Sequence, residues 1–423
     1  MMRHRVSYAH LGAKVNPKHV ASLVDYFESG CKPDSEFRYG VEIEHLPVRR
    51  GDDKAAGYYG RDGVENLLKD LRPYYRHEEE YWENGHLLGL GRPLMKVSLE
   101  PGSQVESSIG PCGTLGELVD LYQSFRQELD PIASRMGFRL VNYGYQPRSG
   151  YADIKVVPKD RYAAMTDYLG RVGQYGLCMM RCSASTQVSI DYRNEADAVA
   201  KLRVGTALGP VISWFFKNSP WFEGGPNPYP LLRQRIWDFT DFQRTNLSPG
   251  LFDPDFGWED YAVDVLSTPL MYVDLTHTPE AAGLEQEGLR RVAFKDNAAD
   301  VYPDRRLNDY EVGHILSTHF NDVRLKKIVE LRHWDSLPIA RAIRLTGVVG
   351  NTFYDQAQFE RLTAFCSQLE EADVFAAKAD LQARGSQARP YGRSLDEWGN
   401  LLGVEDSLDN LPGDPVHPDV FQV

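Results

Sequence analysis

The stretch RYGVEIEHLPV, residues 38–48, alternates in a strand's period: Val41 and Ile43 fall on one side, Glu42 and Glu44 on the other. The pattern recurs in MKVSLE, where Lys96, Ser98 and Glu100 alternate with Val97 and Leu99. In TQVSID, Gln187, Ser189 and Asp191 alternate with Val188 and Ile190, and in IVELR Glu330 and Arg332 alternate with Val329 and Leu331. Such segments predict an antiparallel sheet with one face covered. Longer periods predict the helices that cover it. One spans 14–30, with Asn16 as cap, Pro17 in the first turn and Gly30 as stop. Others are expected over 60–76, 158–172, 194–217 and 355–384. A long one over 113–136 has Leu115, Leu118, Leu121 and Phe125 at helical spacing, with Pro131 kinking it or marking its last turns. The fold class expected is therefore α+β: an antiparallel sheet with helices packed on one face. Residues 1–403 are expected to form one domain, and 404–423, rich in Asp and Pro, a loosely packed tail.

The polar face is the informative one. For any single strand, a wet surface explains it. Across the set, Glu42, Glu44, Glu100, Glu106 and Glu330 are expected to converge, and carboxylates that close repel unless protonated or bridged by a cation. Oxygen-rich sites of this kind suit Mg²⁺ or Mn²⁺, hard cations that commonly hold nucleotide phosphates. Arg332, beside Glu330, is then placed to meet a transferred phosphoryl group. The chain has neither a Walker A motif nor a convincing G-x-G-x-x-G, so any ATP lies on a sheet surface with metals.

Composition narrows the partners. A net charge of -13 over 423 residues argues against nucleic acid. No run of about 18 apolar residues is present, which argues against a membrane span. The start, MMRHRVSYAH, lacks the apolar core of a signal peptide, so a cytoplasmic protein is expected. Five cysteines, an odd and sparse set, read as reduced, buried structural thiols.

Six longer segments then speak together: SLEPGSQVESS (98–108), GYQPRSGYADIKVVPKDRY (144–162), CMMRCSASTQVSIDY (178–192), NSPWFEGGPN (218–227), RQRIWDFTDFQRT (233–245) and STHFNDVRLKKIVELR (317–332). In this order they resemble the glutamate–cysteine ligases of the plant and proteobacterial type, within the glutamine-synthetase-like carboxylate–amine ligases. The resemblance implies a curved antiparallel sheet as active-site floor, with ATP, Mg²⁺, L-glutamate and L-cysteine as cofactors and substrates, in a monomer or homodimer. It implies that ATP phosphorylates the γ-carboxylate of glutamate and that the cysteine amine attacks the γ-glutamyl phosphate. By motif it assigns Glu42, Glu44, Glu100, Glu106 and Glu330 to metal. Arg233 and Arg244 are assigned to the α-carboxylate of glutamate, as bidentate partners. Gln187, Arg332 and Lys96 are assigned to the nucleotide side, and Gln187 also to substrate.

The chain departs from the family after VELR, where HWDSLP replaces a small glycine-rich turn and an acid. Trp334 is therefore expected to wall the acceptor pocket. Asn321 stands where proline is common, and Phe239, Phe242 and Gln243 stand in a stretch normally richer in acids. These changes leave room for an acceptor other than cysteine, or for a non-catalytic relative. The intact acidic set and Arg332 argue against the latter.

Overall fold

The computed structural model describes residues 14–281 and 289–404. The expected tail from 405 lies outside the described residues, and Val404 is buried.

Nine strands form the main sheet: β1 (Tyr39–Arg49), β2 (Arg76–Glu83), β3 (His86–Arg92), β4 (Met95–Leu99), β5 (Val105–Cys112), β6 (Phe138–Val141), β7 (Ser185–Ile190), β8 (Val323–Leu325) and β9 (Val329–Asp335). Their order is β8-β9-β7-β1-β5-β4-β3-β2, antiparallel throughout, with β6 paired to the far half of β1. The apolar positions of the alternating segments, Val41, Ile43, Val97, Leu99, Val188, Ile190, Val329 and Leu331, are no more than 2% exposed. Burying each such side chain stabilises the fold by roughly 1.5–3 kcal/mol.

The covering helices include α1 (Pro17–Glu28), α2 (Val64–Leu71), α3 (Leu115–Arg135), α4 (Asp160–Leu169), α5 (Gly176–Cys182), α6 (Glu195–Phe215), α7 (Leu232–Asp238), α8 (Ile339–Phe353), α9 (Gln356–Cys366) and α10 (Glu371–Arg384). Helix α6 packs on β8 and β9, α3 on β5 and β6, α2 on β3, and α8 on β7. Apolar nearly all round, α6 is a core helix. It approaches β9 through glycines: a Cβ at Gly205 would stand 2.7 Å from Leu331 Cδ2, and one at Gly209 2.2 Å from the His333 ring.

The helix boundaries show where local chemistry overrides periodicity. Asn16 caps α1 through the Lys18 N–H, as its position suggests. Pro131 sits in the last turns of α3, which continues to Arg135. The segment 60–76 is helical only over Val64–Leu71, ending in a short 3₁₀ turn that contains Pro73. The segment 355–384 is two helices, because Asp373 accepts from the Glu370 N–H and starts a new one. Among the described residues, no helix is long and apolar enough to cross a membrane. All five cysteines are free thiols, four buried and Cys31 half-buried.

One irregularity has consequences for the site. On β9, Leu331 pairs with Val188 but Trp334 pairs with Thr186, so β9 carries one extra residue. This bulge breaks the alternation. Trp334, which strict alternation places with Glu330 and Arg332, turns instead to the side of Val188 and is 1% exposed in the core.

Candidate active site

The polar face of the sheet forms one wall of a cavity of about 260 Å³. Glu42 and Glu44 come from β1, Glu106 from β5, Gln187 from β7, Glu330 and Arg332 from β9, and Glu100 follows β4. Arg233 of α7, Lys159 and Arg161 at the start of α4, and Arg324 and Lys326 on and after β8 complete the charged lining. The apolar part includes Met165, Met179, Met180, Trp237 and Phe320.

Strand register places the acids. Glu44 lies directly opposite Glu106 across β1 and β5, and Glu42 opposite Gln187 across β1 and β7. Ser98 Oγ and Ser108 Oγ donate to Glu106 at 2.9 and 3.2 Å. The Ser185 N–H and Oγ donate to the two oxygens of Glu44 at 2.7 and 2.8 Å. Among the described residues, no cation reaches these two carboxylates within ion-pair distance. Burial, with the neighbouring carboxylates second, pushes Glu42 and Glu106 up to about 8 and Glu100 up to about 7. Burial also raises Glu44, against Arg233 and the Ser185 hydrogen bonds.

Glu330 is different. Arg324 Nε, Lys326 Nζ and Arg332 Nη1 stand 2.7, 2.9 and 3.3 Å from its oxygens. Burial works to raise it and is overridden by these three cations, which hold it well below the usual carboxylate range. The cavity therefore has an acidic pole at Glu42, Glu44, Glu100 and Glu106, and a basic pole around Glu330. Arg332 Nη1 also donates to Gln187 Oε1 at 2.7 Å, so Gln187 and Glu330 aim it together. Arg233 donates to the Arg332 carbonyl at 3.1 and 3.2 Å, and burial pulls it down to about 10 with Glu44 opposing. The Trp237 ring lies 5.4 Å from Arg233 and 5.7 Å from Arg332.

The structure does not bring every expected residue here. Arg244 is 1% exposed and away from the cavity: it pairs with Asp241 at 2.6 Å and donates to Tyr168 Oη and the carbonyls of Pro269 and Thr318. Its motif position marks a structural clamp. Trp334 is in the core because of the bulge. Lys96, pairing with Ser108, shares the acidic face but is exposed in an adjoining groove beside Tyr81. Sequence reasoning passed over Arg324 and Lys326, although VRLK alternates as a strand and the hairpin register sets Arg324 against Glu330. Lys159 and Arg161, at a helix start, are half-buried and face the cavity, and Arg161 donates to the Ser317 hydroxyl and carbonyl.

The acidic pole fits a hard divalent cation in charge and donor type, since burial raises all four of its carboxylates, with neighbouring carboxylates adding to this at Glu42, Glu100 and Glu106. Among the described residues, no three His, Cys, Asp or Glu side chains already form a metal-ligand set, so the fit is one of chemistry.

Residues 38–410 match the family model described as Glutamate-cysteine ligase family 2 (GCS2). The chain is 34% identical over 359 residues to the chloroplastic glutamate–cysteine ligase of Nicotiana tabacum, covering 84% of this chain and 67% of that one. It is 31% identical over 383 residues to the chloroplastic glutamate–cysteine ligase B of Oryza sativa subsp. japonica, covering 89% and 75%. Among solved structures it is similar to the glutamate–cysteine ligase of Francisella tularensis in complex with AMP, at 12% identity and a TM-score of 0.43, covering 85% and 74%. The protein is thus an enzyme of the ligase class. It belongs to glutamate–cysteine ligase family 2.

Proposed function

We propose that this chain joins the γ-carboxylate of L-glutamate to the amino group of L-cysteine, using ATP and passing through a γ-glutamyl phosphate. The observation that carries the reading is the two-pole cavity: buried and half-buried carboxylates short of counter-charge on one side, and a cluster of cations on the other. Mg²⁺, or Mn²⁺ in its place, would be held by Glu42, Glu44, Glu100 and Glu106 and would neutralise phosphate charge on the nucleotide. Arg324, Lys326 and Arg332 supply fixed positive charge where phosphoryl oxygens gather, already oriented by Glu330 and Gln187. Arg233 offers a buried guanidinium to the glutamate carboxylate.

The acceptor meets a softer wall. Met165, Met179 and Met180 are polarisable and suit a small thiol side chain. A change as small as thiol to methyl is discriminated by only roughly 1–3 kcal/mol, so 2-aminobutyrate should be accepted more slowly than cysteine. The test is ADP release with glutamate and a panel of cysteine, 2-aminobutyrate and aromatic amines, the products identified by mass. γ-Glutamylcysteine should dominate. A bulky amine as best acceptor would move the assignment to another γ-glutamyl ligase, and ADP release independent of glutamate would overturn it.

A further inference from the structure

Lys378, on α10, is 4% exposed, a rare place for a lysine. It lies outside the cavity, yet it touches three separate segments that stand behind the cavity arginines. Its Nζ is 2.5 Å from Asp238 Oδ1, 2.8 Å from Asp322 Oδ2 and 2.9 Å from Asn246 Oδ1. Asp238 is the last residue of α7, the helix that carries Arg233. The Asp322 carbonyl accepts the Arg332 backbone N–H at 3.0 Å, within the bulge. The Asp322 N–H in turn donates to the Asn246 carbonyl at 2.8 Å. Helix α10 grips α7 twice more: Gln234 Nε2 donates to the Lys378 carbonyl at 3.3 Å, and Gln382 Nε2 to the Leu231 carbonyl at 2.8 Å. Burial pulls the ammonium down in pKa, and Asp322 and Asp238 together pull it up by more, so it stays charged. His333 lies on the same network, its Nε2 3.9 Å from Asp322 Oδ2.

We propose that Lys378 is a positioning residue: it ties the end of α7 to the Asp322 turn, and so sets where Arg233 and Arg332 present their guanidinium groups. The physical case is economy of anchoring. The bulge takes Arg332 out of register with β7 only, so its backbone is held from the other side, by Asp322 in continuation of the β8–β9 register, and Asp322 is held by Lys378. A hydrophobic side chain of similar length would fill the space but would release both carboxylates. The inference rests on the ligase reading, and parental turnover of glutamate and ATP is measured first to keep the two apart.

The experiment is a double-mutant cycle on the full chain, assayed well below the melting temperature of every variant. Lys378→Met is combined with Arg332→Lys, which keeps a charge and some turnover. Lys378→Met alone should lower kcat/KM at least 30-fold, and Lys378→Arg, which keeps both ion pairs, should recover most of that loss. In the Arg332→Lys background the same Lys378→Met change should cost less than threefold, because the group it positions is already compromised. If Lys378→Met does not yield folded protein, Asp322→Asn carries the same cycle with the same criteria. Equal losses in both backgrounds, or a lowered melting temperature with unchanged kcat/KM, would overturn the proposal.

Discussion

Glu44, buried, and Glu106, half-buried, face each other directly across β1 and β5, and among the described residues no cation lies within ion-pair distance of either. Like charges opposite each other in a ladder are destabilising. Glu106→Gln keeps an acceptor for Ser98 and Ser108 and removes the cost of charging or protonating the carboxyl in the folded state, so the metal-free protein should melt higher at neutral pH, by about 2 °C for each kcal/mol gained. The same variant should lose on the order of 10²-fold in turnover. Thermal melts in EDTA and ADP release on one preparation check both halves; a variant that is less stable and fully active would remove the acidic pole from the site.

The sign of the pH dependence follows from the same residues. Glu42 and Glu106 rise from 4.5 to about 8, and Glu100 to about 7. Between those values the folded state holds protons that the unfolded chain has released. Their contribution is complete below about pH 4.5 and is lost as the pH climbs through 7 to 8. In EDTA, the melting temperature should therefore fall between about pH 5.5 and 8.5. Mg²⁺ with ATP should flatten that slope and release protons into a weakly buffered solution at neutral pH. Proton uptake on adding the cation would contradict it.

Arg332 is aimed by Gln187 and Glu330, so its removal and its mis-aiming should differ in degree. Arg332→Ala should cost about 10²–10³-fold in kcat. Gln187→Leu should cost less, since Glu330 still holds the guanidinium. Steady-state kinetics on the two variants give the ranking, and the reverse order would show that Gln187 acts on the substrate itself.

Arg244→Met should act on stability. Removing one partner of a buried pair costs about 3–5 kcal/mol. Where the variant stays folded, its KM for glutamate should match the parent. Trp334→Ala should likewise cost about 3–5 kcal/mol as a core cavity and leave the preference among amine acceptors unchanged. A shifted acceptor preference would mean that the Trp334 side chain reaches the substrate.

The sequence shows the sheet clearly because period-two alternation is a backbone property: Val41, Ile43, Val188 and Ile190 are buried where the pattern puts them. It shows the acids for the same reason, since Glu42, Glu44 and Glu106 sit on regular ladder. Legibility ends where regular pairing ends. Trp334 lies one residue past a bulge, and no alternation count reveals an inserted residue. Arg244 sits beside Arg233 in motif but between two loops in space, and its tertiary partners, Thr318 and Pro269, decide its role. Lys159 and Arg161 are not legible as cavity residues, because a helix start carries no sign of what lies opposite it.

The cavity draws Glu42 and Glu44 from the first strand of the sheet and Glu330 and Arg332 from the last, with Gln187 on the strand between them. Those strands become neighbours only when almost the whole chain has closed. Contacts of such long range form slowly, after the loops between them have lost their entropy. Chemistry at this site is therefore a readout of completed folding. Until β8 and β9 pair with the sheet, Glu42, Glu44, Glu100 and Glu106 stand without Arg324, Lys326 and Arg332, and the cavity lacks one of its two poles.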